Sequence, residues 1–239
     1  MSSRPGLILI PAVVVAVVCV RLGIWQLDRL HQRRASNARI VAATALPAIR
    51  LNEGAATGDR VNRRATARGE LDRSHEVVLR RFESQGAPGV RVVTPLRLAG
   101  SDSAVLVLRG FVNADDAMHA RLDSLDEPGT LDLTGVLKAV PTNPDRGGPL
   151  GPANALTWRR LDLAALRARS PYPLLDVYLI ADRDTVHRGF PIRLEPDPLD
   201  DGPHLSYALQ WFGFAVTAIV VGGVIALKKG GQGGGGAVG

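Results

Sequence analysis

The longest stretches of this chain without a charged side chain lie at its two ends, and they limit the fold more than anything between them. Gly6 to Val20 carries no charge, and neither does Leu205 to Leu227. As a helix the second run is about 34 Å long, enough for a bilayer core of about 30 Å. The first reaches spanning length only by taking in Arg21, Leu22, Gly23, Ile24 and Trp25. An arginine near a helix end can snorkel to the headgroups, so Arg21 does not veto a span. The expected organisation is therefore two membrane helices, one at each end, with the rest of the chain between them.

No A-x-A pattern follows the first run, which reads as an uncleaved anchor. Cys19 is the only cysteine, so an intramolecular disulfide and C-x-x-C chemistry are excluded. The net charge of +6 comes from arginine, since only three lysines occur. Those arginines are dispersed, aromatic residues are few and no nucleic-acid motif is present, so nucleic acid is not an expected partner. Anionic lipid headgroups account better for the charge. The orientation of the spans stays open at this point. Arg4, Lys228 and Lys229 favour cytoplasmic termini, whereas Arg29, Arg33, Arg34 and Arg39 follow the first span directly and argue the other way.

Between the spans, helical character continues through "WQLDRLHQRRASNARIVAATALP" until Pro47, and the polar stretch from Arg50 to Asp59 reads as a loop. Short runs of strand character follow: "RRATARGELD", "HEVVLRRFE", "GVRVVTPLRL", "AVLVLRGFV" and "TLDLTGVLKAV". Turn signals separate them at the spacing of antiparallel strands. "PTNPDRGGPLGPAN" reads as a long surface loop, and "RLDLAALRARS" as a short helix with Asp162 near its start. "LLDVYLIAD" and "FPIRLEP" read as further strands. The fold class is thus a membrane protein of the α+β kind, with terminal helices flanking a mostly antiparallel β, barrel-like domain.

Catalytic signatures are missing. No G-x-S-x-G, P-loop or H-E-x-x-H occurs, and His31, His75, His119 and His187 show no metal-ligand spacing. Asp115–Asp116 and Asp200–Asp201 sit in turn-like sequence, where paired acids are usually solvated. An enzyme is not expected.

The membrane mouths carry more than anchoring needs. A 100° step puts His204, Tyr207, Ala208, Trp211 and Ala215 on one stripe, with Ser206, Gln210 and Gly213 on a neighbouring one. Arg21, Trp25, Asp28 and Gln32 align in the same way on the first span. Tryptophan and tyrosine at such depths also serve as interface belts. Gln210 is different, because an amide left unpaired in lipid is costly and so faces protein or ligand.

"LGIWQLDR" and "HLSYALQWFGFA" resemble the terminal signatures of the Surfeit locus protein 1 family, the assembly factors of haem–copper cytochrome c oxidase. "GELDRSHEVVLR", "GVRVVTPLRL", "VLVLRGFV", "GVLK" and "TWRRLDLAAL" occur between them in the family's order. The resemblance, which covers residues 7 to 227, is that of a bacterial member.

That resemblance implies a two-pass protein of the bacterial plasma membrane. It assigns residues 1–5 to the cytoplasm, 6–27 to the first span and 28–203 to a periplasmic β-rich domain. A second span over 204–227 and a cytoplasmic Gly-rich tail over 228–239 complete it. It also implies a role in maturing oxidase subunit I, with haem a as the cofactor and His204 as the candidate iron ligand. Tyr207, Trp211 and Trp25 would supply apolar walls, and Arg21 or Arg29 would meet the propionates. Gln26, Gln210, Ser206 and Gly213 would contact a protein partner, either subunit I or haem a synthase. The alternative is a membrane scaffold for those same partners that holds no haem.

Overall fold

A 40-residue helix, α1 (Gly6–Ala45), opens the chain in this computed structural model. The structure describes residues 6–54, 59–122, 125, 127–143, 148–151, 157–183, 191–196 and 198–231. From Arg21 to Ala45 there is no proline and only one glycine, so nothing interrupts the helix until Pro47. Then come β1 (Ile49–Arg50), β2 (Arg64–Leu71), β3 (Val77–Ser84), β4 (Ala87–Leu98), β5 (Ala104–Asn113) and β6 (Thr130–Ala139). β7 (Thr157–Trp158), α2 (Leu163–Arg169), β8 (Leu174–Ala181) and α3 (His204–Gly231) complete the order. Both α1 and α3 contain segments long and apolar enough to cross a membrane.

The chain divides into two compact units: Ile40–Pro198, and Met1–Arg39 together with Leu199–Gly239. In the first, β2, β6, β8, β5 and β4 pair in turn, and β4 closes the ring by pairing its Leu96–Leu98 end with Gly69–Leu71 of β2. This is a closed five-stranded barrel, which leaves no edge within the ring. β3 and β7 continue the sheet beyond β4, and β1 lies beside β2. Within the ring only β5–β8 is parallel, and outside it β1–β2 and β3–β7 are parallel too.

β5 shows why its sequence is apolar without a break. Val105 and Val107 face the barrel interior with Ala67, Leu137 and Leu179, while Leu106 and Leu108 face Trp158 and Leu166 on the other side. A strand buried on both faces reads as a continuous hydrophobic run. α2 starts with Asp162 as its N-cap, whose carboxylate accepts from the Ala165 backbone N–H.

Within β5 the register against β4 slips: Val92 faces Gly110 and Val93 faces Leu108, so Arg109 is an extra residue. Bulges re-aim side chains, and this one carries a fully buried arginine. Arg109 donates to Glu76 at 2.9 Å and to the carbonyl of Leu125. Glu127 lies 3.6 Å from it and also accepts from Arg193, which reaches the Arg109 carbonyl at 2.7 Å. Two arginines and two glutamates thus neutralise one another inside the domain, the only arrangement in which buried charges are tolerable. Gly110, at φ +151°, is needed beside them, because a Cβ there would strike the Ile192 carbonyl.

Three regions differ from the sequence reading or lie beyond it. "FPIRLEP" does not form a strand: Ile192 makes a single antiparallel bridge to Phe111, and 193–196 leave the ladder. Pro191 and Pro196 cannot donate to a ladder, and the Arg193 side chain is drawn into the buried charge cluster. The segment after Arg50 begins with a 3-10 turn, Leu51–Glu53, that buries Leu51. Much of the 141–154 loop, together with His187, lies outside the described residues.

Candidate functional site

The terminal helices pack directly on each other. On α1, Ala12, Ala16, Cys19, Gly23 and Gln26 are buried or half-buried; on α3, His204, Ala208, Trp211, Ala215, Ala218 and Gly222 are. Both sets alternate steps of four and three residues, the period of an antiparallel coiled-coil seam. Ala16, Cys19 and Ala215 are its buried centre, flanked by Trp211 and Ala218. Small residues let the backbones approach: a Cβ on Gly23 would lie 2.6 Å from Phe212, and one on Gly222 would strike Ala12. This is how helices associate in lipid, where no hydrophobic drive exists between them.

At its polar end the seam becomes hydrogen-bonded. Nδ1–H of His204 donates to Oε1 of Gln26 at 2.9 Å. Further out, Arg34 pairs with Asp201 at 2.9 Å and Arg33 with Asp200 at 3.5 Å. Asn37 donates to the Asp200 carbonyl at 2.8 Å. The Asp200–Asp201 pair, expected to be merely solvated, is exposed and also clasps α1. With Nδ1 of His204 committed to Gln26, the lone pair sits on Nε2.

Helix geometry sorts the other candidate residues around this pair. A step of about 100° per residue leaves Arg21, two residues from both Cys19 and Gly23, on the face opposite the α1 seam, and puts Trp25 and Arg29 towards one flank of that seam and Tyr207 on one flank of the α3 seam. Because the helices run antiparallel, these are the same flank. Trp25 and Tyr207 remain 49% and 46% exposed there, and the Arg29 guanidinium lies 5.5 Å over the Trp25 ring. Trp211 is half-buried in the seam and meets Phe214 edge-on at 5.8 Å. Ser206, Gln210 and Gly213 are exposed and turn away from α1.

A match to the SURF1 family spans residues 13–216, from within α1 to within α3, and so takes in the barrel and both sides of the seam. The chain belongs to the SURF1 family. Among similar proteins, a SURF1-like protein of Rickettsia felis is 27% identical over 213 residues, covering 85% of this chain and 90% of the relative. A SURF1-like protein of Monosiga brevicollis is 27% identical over 252 residues, covering 97% and 92%. One of Rickettsia conorii is 26% identical over 212 residues, covering 85% of each chain. SURF1 family proteins are known generally as oxidase assembly factors.

For this SURF1 family chain, the structure joins two residues that the sequence placed in different roles, His204 as a ligand and Gln26 as a partner contact. It also adds Arg33, Arg34 and Asn37, which sequence reasoning left out of the site. A signal for them was present: the basic pair "RR" at 33–34 follows the first apolar run and the acidic pair "DD" at 200–201 precedes the second, so opposite charges flank the two runs.

Proposed function

We propose that the chain is an assembly factor for a haem–copper cytochrome c oxidase and that it holds haem a at the polar end of the helix pair for insertion into subunit I. The observation that carries this is the His204–Gln26 hydrogen bond. An imidazole whose Nδ1–H is held by an acceptor presents Nε2 in a fixed tautomer and orientation, as iron ligation asks.

The donor set fits a haem better than a bare ion. Among the described residues no three His, Cys, Asp or Glu side chains are grouped to hold a metal. A bare transition metal wants about four protein ligands, whereas a porphyrin supplies four ring nitrogens and asks for an axial residue. His204 supplies the axial nitrogen, Gln26 orients it, and Trp25, Tyr207 and Trp211 offer apolar surface on or beside one flank. Of the two arginines, Arg29 stands on that flank and suits a propionate, whereas Arg21 points away from it. Haem a, once bound, brings the iron centre that the oxidase requires, and this chain's residues bind, orient and shield it. In this reading the termini are cytoplasmic, the barrel is periplasmic and the membrane is the bacterial inner membrane.

Visible absorbance of the detergent-purified protein from a haem a-producing host tests the reading. The wild-type protein is expected to carry a haem spectrum, and His204→Ala to lose or shift it while still inserting. Haem-free wild-type protein, or an unaltered spectrum in His204→Ala, would favour a second reading. In that one, the chain is a scaffold for subunit I or haem a synthase, and Ser206, Gln210 and Gly213 are its contacts. Their exposure on the face away from α1 supports it, because an amide facing lipid invites a polar partner.

A further inference from the structure

One polar side chain of α3 lies within the apolar run with nothing to bond to. Gln210 stands five residues beyond Leu205, about 7.5 Å into the run by helical rise. The hydroxyls on either side of it are satisfied within the helix end itself. Ser206 donates to the Pro203 carbonyl at 2.8 Å, and Thr217 to the Gly213 carbonyl at 2.9 Å. The Gln210 amide is exposed and makes no hydrogen bond among the described residues. Unlike an arginine, it is too short to snorkel to the headgroups. An amide left unpaired in hydrocarbon is costly, so this chain leaves a bond to be made from outside.

Gln210 belongs to a second seam on α3. Ser206, Gln210, Gly213, Thr217, Val220 and Val224 alternate steps of four and three residues, as the seam facing α1 does. All six are exposed, and at 100° per residue they lie on the side of α3 turned from α1. This second seam is about 27 Å long and carries no charge. Thr217, Val220 and Val224 are β-branched and stiff, so packing costs them little rotamer freedom. The outward face of α1 is different, because it presents Arg21 and Asp28.

We propose that this seam pairs with the same seam of a second copy of the chain, in a parallel two-fold dimer whose Gln210 amides hydrogen-bond to each other. Two copies inserted the same way round place identical residues at identical depth, so at the axis a residue meets itself. An amide can satisfy that meeting, since it both donates and accepts. A single polar residue in an apolar seam also fixes register and the number of strands. A helix of another protein would have to carry a matching polar group at this depth, whereas a second copy supplies it by symmetry. The outward face of α1 is unsuited to the same use, because Arg21 would meet Arg21 and Asp28 would meet Asp28. The inference rests on α3 crossing a bilayer and not on haem. The His204–Gln26 bond lies on the α1 side of α3, so the dimer and the haem site can fail separately.

Förster transfer tests the proposal, between full chains carrying a donor or an acceptor fluorescent protein after Gly239. The chains are reconstituted in phosphatidylcholine liposomes over a range of protein-to-lipid ratios. Transfer is expected to follow a monomer–dimer curve. Gln210→Leu should move its midpoint to higher protein by about 3- to 30-fold, the usual range for one interhelical side-chain hydrogen bond. Gln210→Asn, which keeps the amide, should move it less, and Arg21→Leu should leave it in place. Gln210 is exposed and unbonded within its own chain, so its replacement leaves the monomer intact. A midpoint that Gln210→Leu does not move overturns the proposal, as does one that moves only with Arg21→Leu. A chain that is monomeric at every ratio also overturns it, and leaves the face to a helix of another protein, as the scaffold reading has it.

Discussion

Gln26 is the residue on which the proposed haem site turns, though it would touch no iron. Replacing it with leucine leaves Nδ1–H of His204 without its acceptor and frees the ring to rotate. Haem affinity is expected to fall by about 10- to 100-fold, the usual cost of losing an orienting partner. Gln26→Glu, which keeps an acceptor, should retain more than Gln26→Leu, and haem titration of the purified variants compares them. If Gln26→Leu binds as tightly as the wild type, the hydrogen bond orients nothing. At this scale His204 was legible, since a histidine at the mouth of an apolar run is unusual. Its partner was not, because 178 residues separate the two and no local pattern reports a contact across that distance. Asp72 gives a second expectation. Burial pushes its carboxyl up, but hydrogen bonds from Ser74, Tyr172 and His75 outweigh this and bring it down to about 2. The unfolded chain therefore takes up this proton first, near the ordinary value of 3.8. The stability Asp72 adds is present above that value and is lost as pH falls towards about 2. Thermal unfolding across that interval should show a shallower fall for Asp72→Asn than for the wild type, and identical slopes would remove Asp72 as the cause.

Elements differ in how openly the sequence announces them. The runs that became β2 to β6 and β8 are bounded by turn residues, all but β2 are rich in valine or leucine, and they formed strands where expected. The "FPIRLEP" run carries the same apolar content but is edged by proline, and the buried charges claimed its arginine. The bulge at Arg109 was invisible, because one extra residue in a ladder shows only when the partner strand is in place. The helix seam was legible in part. His204, Ala208, Trp211 and Ala215 were read as one stripe, whereas the α1 stripe that was read, Arg21, Trp25, Asp28 and Gln32, is exposed. The chosen stripe followed the polar and aromatic residues, while the packing followed the small ones. Gly222→Ala should therefore weaken the helix pair by about 1–3 kcal/mol, since its Cβ would strike Ala12. Gly213→Ala gains the same helix propensity and meets nothing within 4 Å, so it is the control. Detergent unfolding followed by circular dichroism should separate the two, and equal stability would mean that the helices do not approach at Gly222.

At the scale of the whole molecule, the open matter is which side of the membrane receives the barrel. Counting arginines gives a conflict, because Arg29, Arg33, Arg34 and Arg39 stand on the barrel side of the first span and Arg4, Lys228 and Lys229 on the side of the termini. The rule behind that count applies to short flanking segments, and long domains cross largely regardless of charge. The barrel is such a domain, so the arginines on its side count for less than Arg4, Lys228 and Lys229. Arg33 and Arg34 also have a second reason to exist, since they pair with Asp200 and Asp201 and clasp the helices. Cytoplasmic termini and an extracytoplasmic barrel are thus expected. Alkaline phosphatase inserted in the 143–154 loop should be active, because it folds only outside the cytoplasm, and green fluorescent protein fused after Gly239 should glow, because it matures only inside. An inactive phosphatase with a dark terminal fusion would reverse the orientation. The haem site would then open to the cytoplasm, at the mouth opposite to the one the proposal requires.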